Sequence, residues 1–308
     1  MVSSIARRGL ILLSVMLFAG CNTIVMNPAG DIAIQQGRLI VVSTLLMLLI
    51  IIPVIALTIL FAWHYRKSNT KATYEPDWDH STQLELVIWG APLLIIIALG
   101  LLTWISTHTL DPYRKLSRLD EQRPISANVK PLTVEVVALD WKWLFIYPEQ
   151  GIATVNELAA PVDMPIRFKI TASSVMNSFY IPALAGQIYA MPGMETALNA
   201  VINKPGDYDG FSANYSGAGF SDMRFKFRGM TPENFDRWVQ SAKAAGGSLD
   251  RAGYTTLEKP SQREPVRFYR AVDADLYHAI VNRCVDPSQM CMDKMMAASM
   301  GGEHHHHD

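Results

Sequence analysis

The side chains that could do chemistry in this sequence are few, and most lie near the two ends of the chain. Its three cysteines are Cys21, Cys284 and Cys291. Three cysteines are too few for a disulfide framework, although Cys284 and Cys291 could pair in an oxidising compartment. Methionines are frequent after Asp286, and consecutive histidines follow them at positions 304–307. Thioethers and imidazoles bind copper, so this tail is either a metal-binding segment or a disordered tail without such a role.

One carboxylate, Glu85, lies directly before a long apolar run at 86–104. Ionisable groups at membrane depth are costly and often functional. At the very end of a membrane span, however, a solvated glutamate needs no function. Position alone therefore favours a structural role for Glu85.

Two apolar runs organise the chain around these groups. Residues 39–63 and 86–104 contain no charged side chain. As helices they would be about 37 Å and 28 Å long, and the hydrocarbon core of a bilayer is about 30 Å thick. We therefore predict transmembrane helices at 39–63 and 84–106, rather than two buried helices of a soluble domain. Aromatic residues near the ends of the runs are typical of the membrane interface.

The N-terminal segment has the pattern of a secretory signal. Arg7 and Arg8 precede a short apolar run that ends in small residues. The run LFAGC at 17–21 resembles a bacterial lipobox, in which the cysteine is lipid-modified and begins the mature chain. This resemblance implies a signal peptide at 1–20 and lipidation of Cys21. The alternatives are an ordinary signal peptide and an uncleaved anchor.

Topology follows from this processing. Cleavage at the lipobox leaves an external segment at 21–38, so the first span would run inward and the second outward. Basic residues of short loops stay in the cytoplasm. The loop at 64–83 agrees with this orientation, because it contains Arg66, Lys67 and Lys71. We therefore predict a protein of the bacterial cytoplasmic (inner) membrane with two spans and a large periplasmic C-terminal domain.

The remainder of the chain changes pattern three times. A polar stretch with two prolines, 107–130, is typical of a linker. Apolar and polar residues then alternate in several short stretches within 131–230, which predicts the half-buried strands of a β-sandwich or barrel. Helical patterns follow in 231–285, and the tail at 286–308 is predicted to be disordered. The fold class is thus membrane-anchored α+β.

The order of these parts resembles subunit II of the haem-copper respiratory oxidases. The stretch DWKWLFIYPE at 140–149 is similar to the aromatic segment that begins that family's cupredoxin domain. The stretch SVMNSFYIP at 174–182 is similar to the segment that gives the first copper-binding histidine, and 208–223 resembles the second copper segment. The resemblance covers roughly residues 20–285. It implies a cupredoxin-like Greek-key β-sandwich after the hairpin.

The copper ligands of that family are missing from this sequence. Cytochrome c oxidases of the family hold a binuclear copper centre with a histidine and a later Cys-x3-Cys-x3-His-x2-Met pattern. Copper in electron transfer needs thiolate and imidazole ligands, so we predict no metal and no cofactor in this chain. The positions that match the family's ligands carry Asn177, Ser212, Ser216 and Phe220, and only Met223 is retained.

Loss of these ligands resembles the quinol oxidase branch of the family, and cytochrome bo-type ubiquinol oxidases in particular. The resemblance implies a complex that oxidises ubiquinol, reduces oxygen to water and pumps protons. Subunit I would hold the haems, the copper that meets oxygen and a quinol site. This chain would be a non-redox scaffold and cap of subunit I. Its partners would be subunit I, smaller subunits, membrane lipids and the quinol pool, without cytochrome c. A net charge of −1 gives no indication of nucleic acid binding.

The same resemblance assigns expectations to three further side chains. Glu85 matches a glutamate associated with proton entry, which makes a functional role as plausible as the structural one. Trp141 and Trp143 match residues near the electron-entry patch of copper-bearing relatives, but packing is the better interpretation where copper is missing.

A different function is a stand-alone membrane lipoprotein whose cupredoxin-like binding domain and Met/His tail handle copper.

Overall fold

The computed structural model describes residues 23–73, 75–126 and 128–302. The predicted signal peptide and Cys21 lie outside the described residues. The chain divides into two compact units. One unit lies within Gln35–Arg114, and the other combines the described residues up to Ile34 with the described residues from Lys115 onward.

The two predicted apolar helices are confirmed. Helix α1 spans Asp31–His64 and helix α2 spans Thr82–Thr109, and both are long and apolar enough to cross a membrane. Helix α1 begins before the apolar run predicted at 39–63, because Asp31 provides a negative charge in its first turn. Ser81 caps α2 and accepts a hydrogen bond from the backbone of Leu84. The apolar stretches of both helices are exposed within the described chain, so their surfaces need lipid or another protein.

The predicted β-sandwich is also confirmed. A six-stranded sheet has the order β12-β3-β2-β1-β5-β8, and a five-stranded sheet has the order β4-β10-β9-β6-β7. The strands of the two sheets are β1 (Leu132–Leu139), β2 (Lys142–Tyr147), β3 (Ile152–Val155), β4 (Glu157–Pro161), β5 (Pro165–Ala172), β6 (Asn177–Tyr180), β7 (Ile188–Ala190), β8 (Thr196–Val201), β9 (Gly206–Ser212), β10 (Arg224–Met230) and β12 (Arg267–Tyr269). Two short parallel strands, β11 (Ser248–Leu249) and β13 (Ala271–Val272), form a separate pair.

An aromatic cluster fills the space between the two sheets. Phe179 and Phe225 stack with ring centroids 5.4 Å apart, and Trp143 meets both rings edge-on. Phe145 and Phe168 complete this cluster. Phe168 and Phe225 belong to strands β5 and β10, in which apolar and polar residues alternate, and successive side chains of a strand point to opposite faces of the sheet. The alternation predicted for these two strands therefore placed their inner faces correctly.

A second core lies on the other face of the six-stranded sheet, beneath the C-terminal region. Helix α3 (Pro232–Ala244) closes one side of the sandwich, and helices α4 (Arg251–Glu258) and α5 (Leu276–Val281) contribute to the second core. The buried residues of this core are Val137, Leu139, Leu144, Ile146, Ala153, Val155, Leu249, Tyr254, Leu257, Leu276, Tyr277 and Ile280. The helical region predicted at 231–285 is thus part of the folded domain.

The tail differs from its predicted disorder. Cys284 and Cys291 form a disulfide, and helix α6 (Met292–Gly302) begins directly after it. The backbone N–H of Met292 donates to the carbonyl of Asn282 at 3.0 Å. A closed loop and a hydrogen bond at the first residue of the helix hold a segment whose composition alone favours disorder. Residues 303–308 lie outside the described residues.

The segment before α1 docks on the sandwich through its backbone. The N–H groups of Ala29 and Gly30 both donate to the carbonyl of Ala183, at 2.9 Å and 3.0 Å. The N–H of Asn203 donates to the carbonyl of Ala29 at 2.9 Å, and Gly30 forms an isolated bridge with Ile202. The start of the described chain is therefore an integral part of the larger unit.

Two ion pairs hold the segment predicted as a linker. The Nε of Arg118 lies 3.0 Å from Oδ2 of Asp31, a carboxylate that is only 2% exposed. Arg123 forms two hydrogen bonds of 2.8 Å with the carboxylate of Asp163. The Arg123 guanidinium holds the pKa of the Asp163 carboxyl below its usual range. These contacts of Arg118 and Arg123 therefore hold the polar stretch against the larger unit.

Candidate functional site

Asn177, Ser212, Ser216 and Phe220, which the resemblance matches to copper ligands, are here called the vacated copper positions, and the first two lie on neighbouring strands. Asn177 begins β6 and Ser212 ends β9, and these strands pair in antiparallel fashion. Their side chains are 1% and 3% exposed. The Oγ of Ser212 donates to Oδ1 of Asn177 at 3.0 Å, and the Asn177 amide donates to the carbonyl of Val175 at 3.1 Å. A neutral hydrogen bond thus joins the two side chains that the resemblance matches to copper ligands.

The loop from β9 to β10 carries the other vacated positions. Its end folds back on Ser212, because the Ser212 N–H donates to the carbonyl of Met223 at 3.2 Å. Met223 is 0% exposed, and its N–H donates to the carbonyl of Phe220 at 3.1 Å. The Phe220 ring is partly exposed and packs edge-on against Tyr215, with ring centroids 5.7 Å apart. The structure therefore places Asn177, Ser212 and Met223 together.

Trp141 fixes the same loop from the side. Its indole Nε1 donates to the carbonyl of Ser216 at 3.0 Å. A Cβ atom at Gly219 would lie 2.5 Å from the Trp141 ring, so only glycine lets the ring lie flat on the loop. Trp143 is fully buried in the aromatic cluster. Both tryptophans therefore have the packing roles that the sequence favoured.

These side chains do not form a copper centre. The donors are hydroxyls, an amide and one thioether, whereas copper in electron transfer needs thiolates and imidazoles. The Oγ of Ser216 is buried and has no hydrogen-bond partner within the described residues. No group of three or more His, Cys, Asp or Glu side chains suited to a metal occurs in the described part of the chain. The residues present do not fit a binuclear copper centre.

Glu85 lies in the first turn of α2, four residues after the capping serine. Its Oε1 is 2.8 Å from Nδ1 of His80, and its side chain is about half exposed. A carboxylate at this end of a helix is favoured by the helix dipole. The structure thus provides Glu85 with a partner, His80, that sequence reasoning missed because the two residues belong to different predicted elements.

Two family models match the larger unit. The model for the periplasmic domain of cytochrome c oxidase subunit II matches residues 149–229, which include all the vacated copper positions. The model for the COX aromatic-rich motif matches residues 243–288. This second match covers the C-terminal helices, whose tyrosines Tyr254 and Tyr277 lie in the second core. Sequence reasoning recognised helical patterns there and missed the motif, although the spaced tyrosines were a usable signal.

Curated relatives match nearly the whole chain. Subunit 2 of the cytochrome bo(3) ubiquinol oxidase of Pseudomonas putida is 51% identical, over 88% of this chain and 83% of that relative. Subunit 2 of the ubiquinol oxidase of Acetobacter aceti is 50% identical, over 91% of this chain and 88% of that relative. The chain belongs to the family of subunit 2 of ubiquinol oxidases. This quinol oxidase subunit is therefore part of an oxidoreductase complex of a respiratory chain.

The family membership confirms the prediction made from the two copper segments. For this quinol oxidase subunit, two apolar helices and a periplasmic domain fit a protein of the inner membrane. Among solved structures, the periplasmic domain of cytochrome oxidase subunit II of Bradyrhizobium japonicum is 26% identical. That match covers 37% of this chain and 94% of that chain with a TM-score of 0.36, too low a likeness to support an inference.

Proposed function

We propose that this chain is the non-redox subunit of a complex that oxidises ubiquinol, reduces oxygen to water and pumps protons. The observation that carries the proposal is the buried Ser212–Asn177 hydrogen bond, which occupies the vacated copper positions with neutral groups. Electrons that enter from a membrane quinol need no copper in the periplasmic domain. Haems, the oxygen-binding copper and the quinol site belong to subunit I in this proposal.

The proposed role of the chain is to anchor and cap subunit I. Helices α1 and α2 have apolar surfaces that are exposed within the described chain, and subunit I and lipid would cover them. The sandwich would cap the periplasmic face of subunit I. This arrangement requires the orientation predicted from the basic loop residues, with 64–83 in the cytoplasm.

Purification under mild detergent tests this function directly. A chain with an affinity tag is expected to co-purify with a haem-bearing membrane subunit. The preparation should consume oxygen with ubiquinol and not with reduced cytochrome c. Isolation of a single subunit without haem would contradict the proposal and favour the stand-alone copper-handling lipoprotein. Oxidation of cytochrome c at a comparable rate would contradict the assignment of electron entry to quinol.

A first prediction concerns processing. We expect the mature chain to begin at Cys21 and to carry lipid on that residue, because the run at 17–21 resembles a lipobox. Each buried CH₂ of a lipid contributes about 0.8 kcal/mol to membrane binding. Since two helices already anchor the chain, Cys21→Ser should leave assembly intact wherever processing still occurs. Intact-mass measurement is the test, and a mature chain that retains Met1 or an unmodified Cys21 would disprove the prediction.

A second prediction concerns Glu85. If this carboxylate helps protons enter the complex, Glu85→Ala should lower ubiquinol-driven oxygen consumption several-fold while haem content and assembly stay normal. Glu85→Asp should be milder because a carboxylate remains. Glu75→Ala is the matched control, since Glu75 is an exposed carboxylate of the loop that precedes α2.

Removal of the partner separates a functional Glu85 from a structural one. His80→Ala breaks the 2.8 Å contact with Glu85 and keeps the carboxylate. A loss of activity in Glu85→Ala that His80→Ala does not reproduce would support proton entry. Equal turnover of Glu85→Ala and the unmodified complex from about pH 6 to about pH 9 would assign Glu85 a structural role only.

A further inference from the structure

Helix α6 carries a row of methionines on one face. Met292, Met295 and Met296 are spaced i, i+3 and i+4, and residues at this spacing are neighbours on a helix surface. Met295 and Met296 are 48% and 56% exposed. Exposed apolar side chains of this size gain little from packing within the chain, so the row is not explained by the folding of the domain.

A turn of the sandwich that lies against Met292 carries two further methionines. The Sδ and Cε atoms of Met292 both lie 3.5 Å from the point where a Cβ at Gly193 would be. Gly193 has a φ of +73°, and the missing side chain lets the Met292 thioether rest on the backbone of the turn. Met191 and Met194 flank Gly193 in the sequence, and Met194 is exposed. The first methionine of the row therefore meets a turn that carries two others.

Several contacts fix the helix in this position. The disulfide between Cys284 and Cys291 ends one residue before α6. Nε2 of His278 lies 3.1 Å from Oδ2 of Asp293, and the N–H of Met292 donates to Asn282. A ligand that binds this methionine row would find its first members already placed, which reduces the entropy cost of ordering them.

The chemistry of the row is specific. Thioethers are soft, neutral ligands that select Cu(I), whereas carboxylates, carbonyls and water suit Mg, Ca and Mn. We propose that Met292, Met295 and Met296, together with Met191 and Met194 of the facing turn, form a binding site for a soft monovalent cation of the Cu(I) class. The proposal is independent of the vacated copper positions and of quinol oxidation, and it uses none of the histidines at 304–307.

Ag(I), which is soft and does not change its oxidation state, is the first probe. The full chain in detergent is titrated with Ag(I) against a competing chelator, and Cu(I) is then tested in the same way under a reductant. The variant Met292→Leu/Met295→Leu/Met296→Leu keeps volume and helix propensity and removes the sulfurs. It should bind Ag(I) at least about tenfold more weakly. The control Met26→Leu/Met47→Leu replaces two exposed methionines elsewhere and should bind as the unmodified chain does.

Two further variants test the methionines of the turn and the histidine run separately. Met191→Leu/Met194→Leu should also weaken Ag(I) binding, and it leaves α6 unchanged. A chain ending at residue 302 lacks the histidine run and should retain Ag(I) affinity. Unchanged affinity in the triple leucine variant would overturn the proposal, and so would loss of all binding on truncation, which would assign the metal to the histidines. If circular dichroism shows that the triple variant has lost helix α6, the Ag(I) affinity of the Met191→Leu/Met194→Leu variant tests the proposal instead.

Discussion

A chain carrying Asn177→His, Ser212→Cys, Ser216→Cys and Phe220→His is expected to bind two copper ions in a purple binuclear centre. The unmodified site offers hydroxyls, an amide and a phenyl ring, and these do not replace thiolate and imidazole. The strands that would carry two of the new ligands are already paired. Strands β6 and β9 bring positions 177 and 212 into contact at 3.0 Å. Met223, the retained ligand, is fully buried beside them.

The metal should also restore stability that the substitutions remove. Without copper, the variant loses the Ser212–Asn177 hydrogen bond, which is worth about 1 kcal/mol. Copper at a thousand times its dissociation constant would add about 4 kcal/mol to the free energy of unfolding. With the α6 methionines replaced by leucine in both chains, the unfolding temperature of the variant should therefore rise with copper, whereas that of the chain with the original Asn177, Ser212, Ser216 and Phe220 should not.

Visible absorption is the measurement, because the purple colour requires thiolate bound to copper and the methionines of α6 cannot produce it. The matched control carries the two histidines without the two cysteines and should stay colourless. The resemblance implies a glutamate where this chain has Asn214, so the groups that orient the new ligands differ and the centre is expected to be imperfect. A folded quadruple variant without copper would show that the loops have left the family's geometry. Stoichiometric copper in a chain that keeps the original four residues and has the α6 methionines replaced would also contradict the prediction.

Gly30→Ala is expected to destabilise the chain by about 2–4 kcal/mol. A Cβ at position 30 would lie 2.4 Å from the carbonyl oxygen of Val201 and 2.8 Å from that of Leu184. Both atoms belong to the backbone and cannot rotate away. The segment would have to leave the sandwich and give up the hydrogen bonds that Ala29 and Gly30 make with Ala183.

Thermal unfolding of the full chain measures this cost, and limited proteolysis shows whether the segment before α1 has been released. Gly247→Ala is the control, because nothing lies within 4 Å of a Cβ at that position. The Gly30 variant should unfold at a lower temperature and be cleaved faster near Asn27, while the Gly247 variant matches the unmodified chain. Equal stability of the two variants would mean that the docked segment contributes little.

The parts of the fold that follow from local pattern were predictable. Charge-free runs at 39–63 and 86–104 specify the apolar helices, because only length and polarity are needed to recognise them. Alternation in β1 and β5 specifies strands with one face in the aromatic core. The vacated copper positions were located from the spacing of Ser212, Ser216 and Met223, and their correspondence to copper ligands stays a prediction.

The remaining features depend on contacts between residues that are far apart in sequence. No local pattern in the sequence indicates that Asp31 pairs with Arg118. The same holds for the close approach of Gly30 to the backbone of Val201 and Leu184. The helix at Met292–Gly302 was predicted as disorder, because composition does not reveal that a disulfide and a hydrogen bond to Asn282 hold its first residue. The contact between His80 and Glu85 crosses the predicted start of a helix and escaped notice for the same reason.

The edge strand β12 is synthesised long after the strand with which it pairs. It pairs with β3, so that Arg267 lies opposite Val155 and Tyr269 lies opposite Ala153. The ribosome synthesises about 5–20 residues per second, so the edge of β3 would remain unpaired for roughly 6–22 seconds while residues 156–267 are made. An open, apolar sheet edge invites pairing with other chains during that interval. A chaperone that holds unpaired strands should therefore matter more for the yield of this subunit than for its final stability, and messages truncated before residue 267 should give aggregated product.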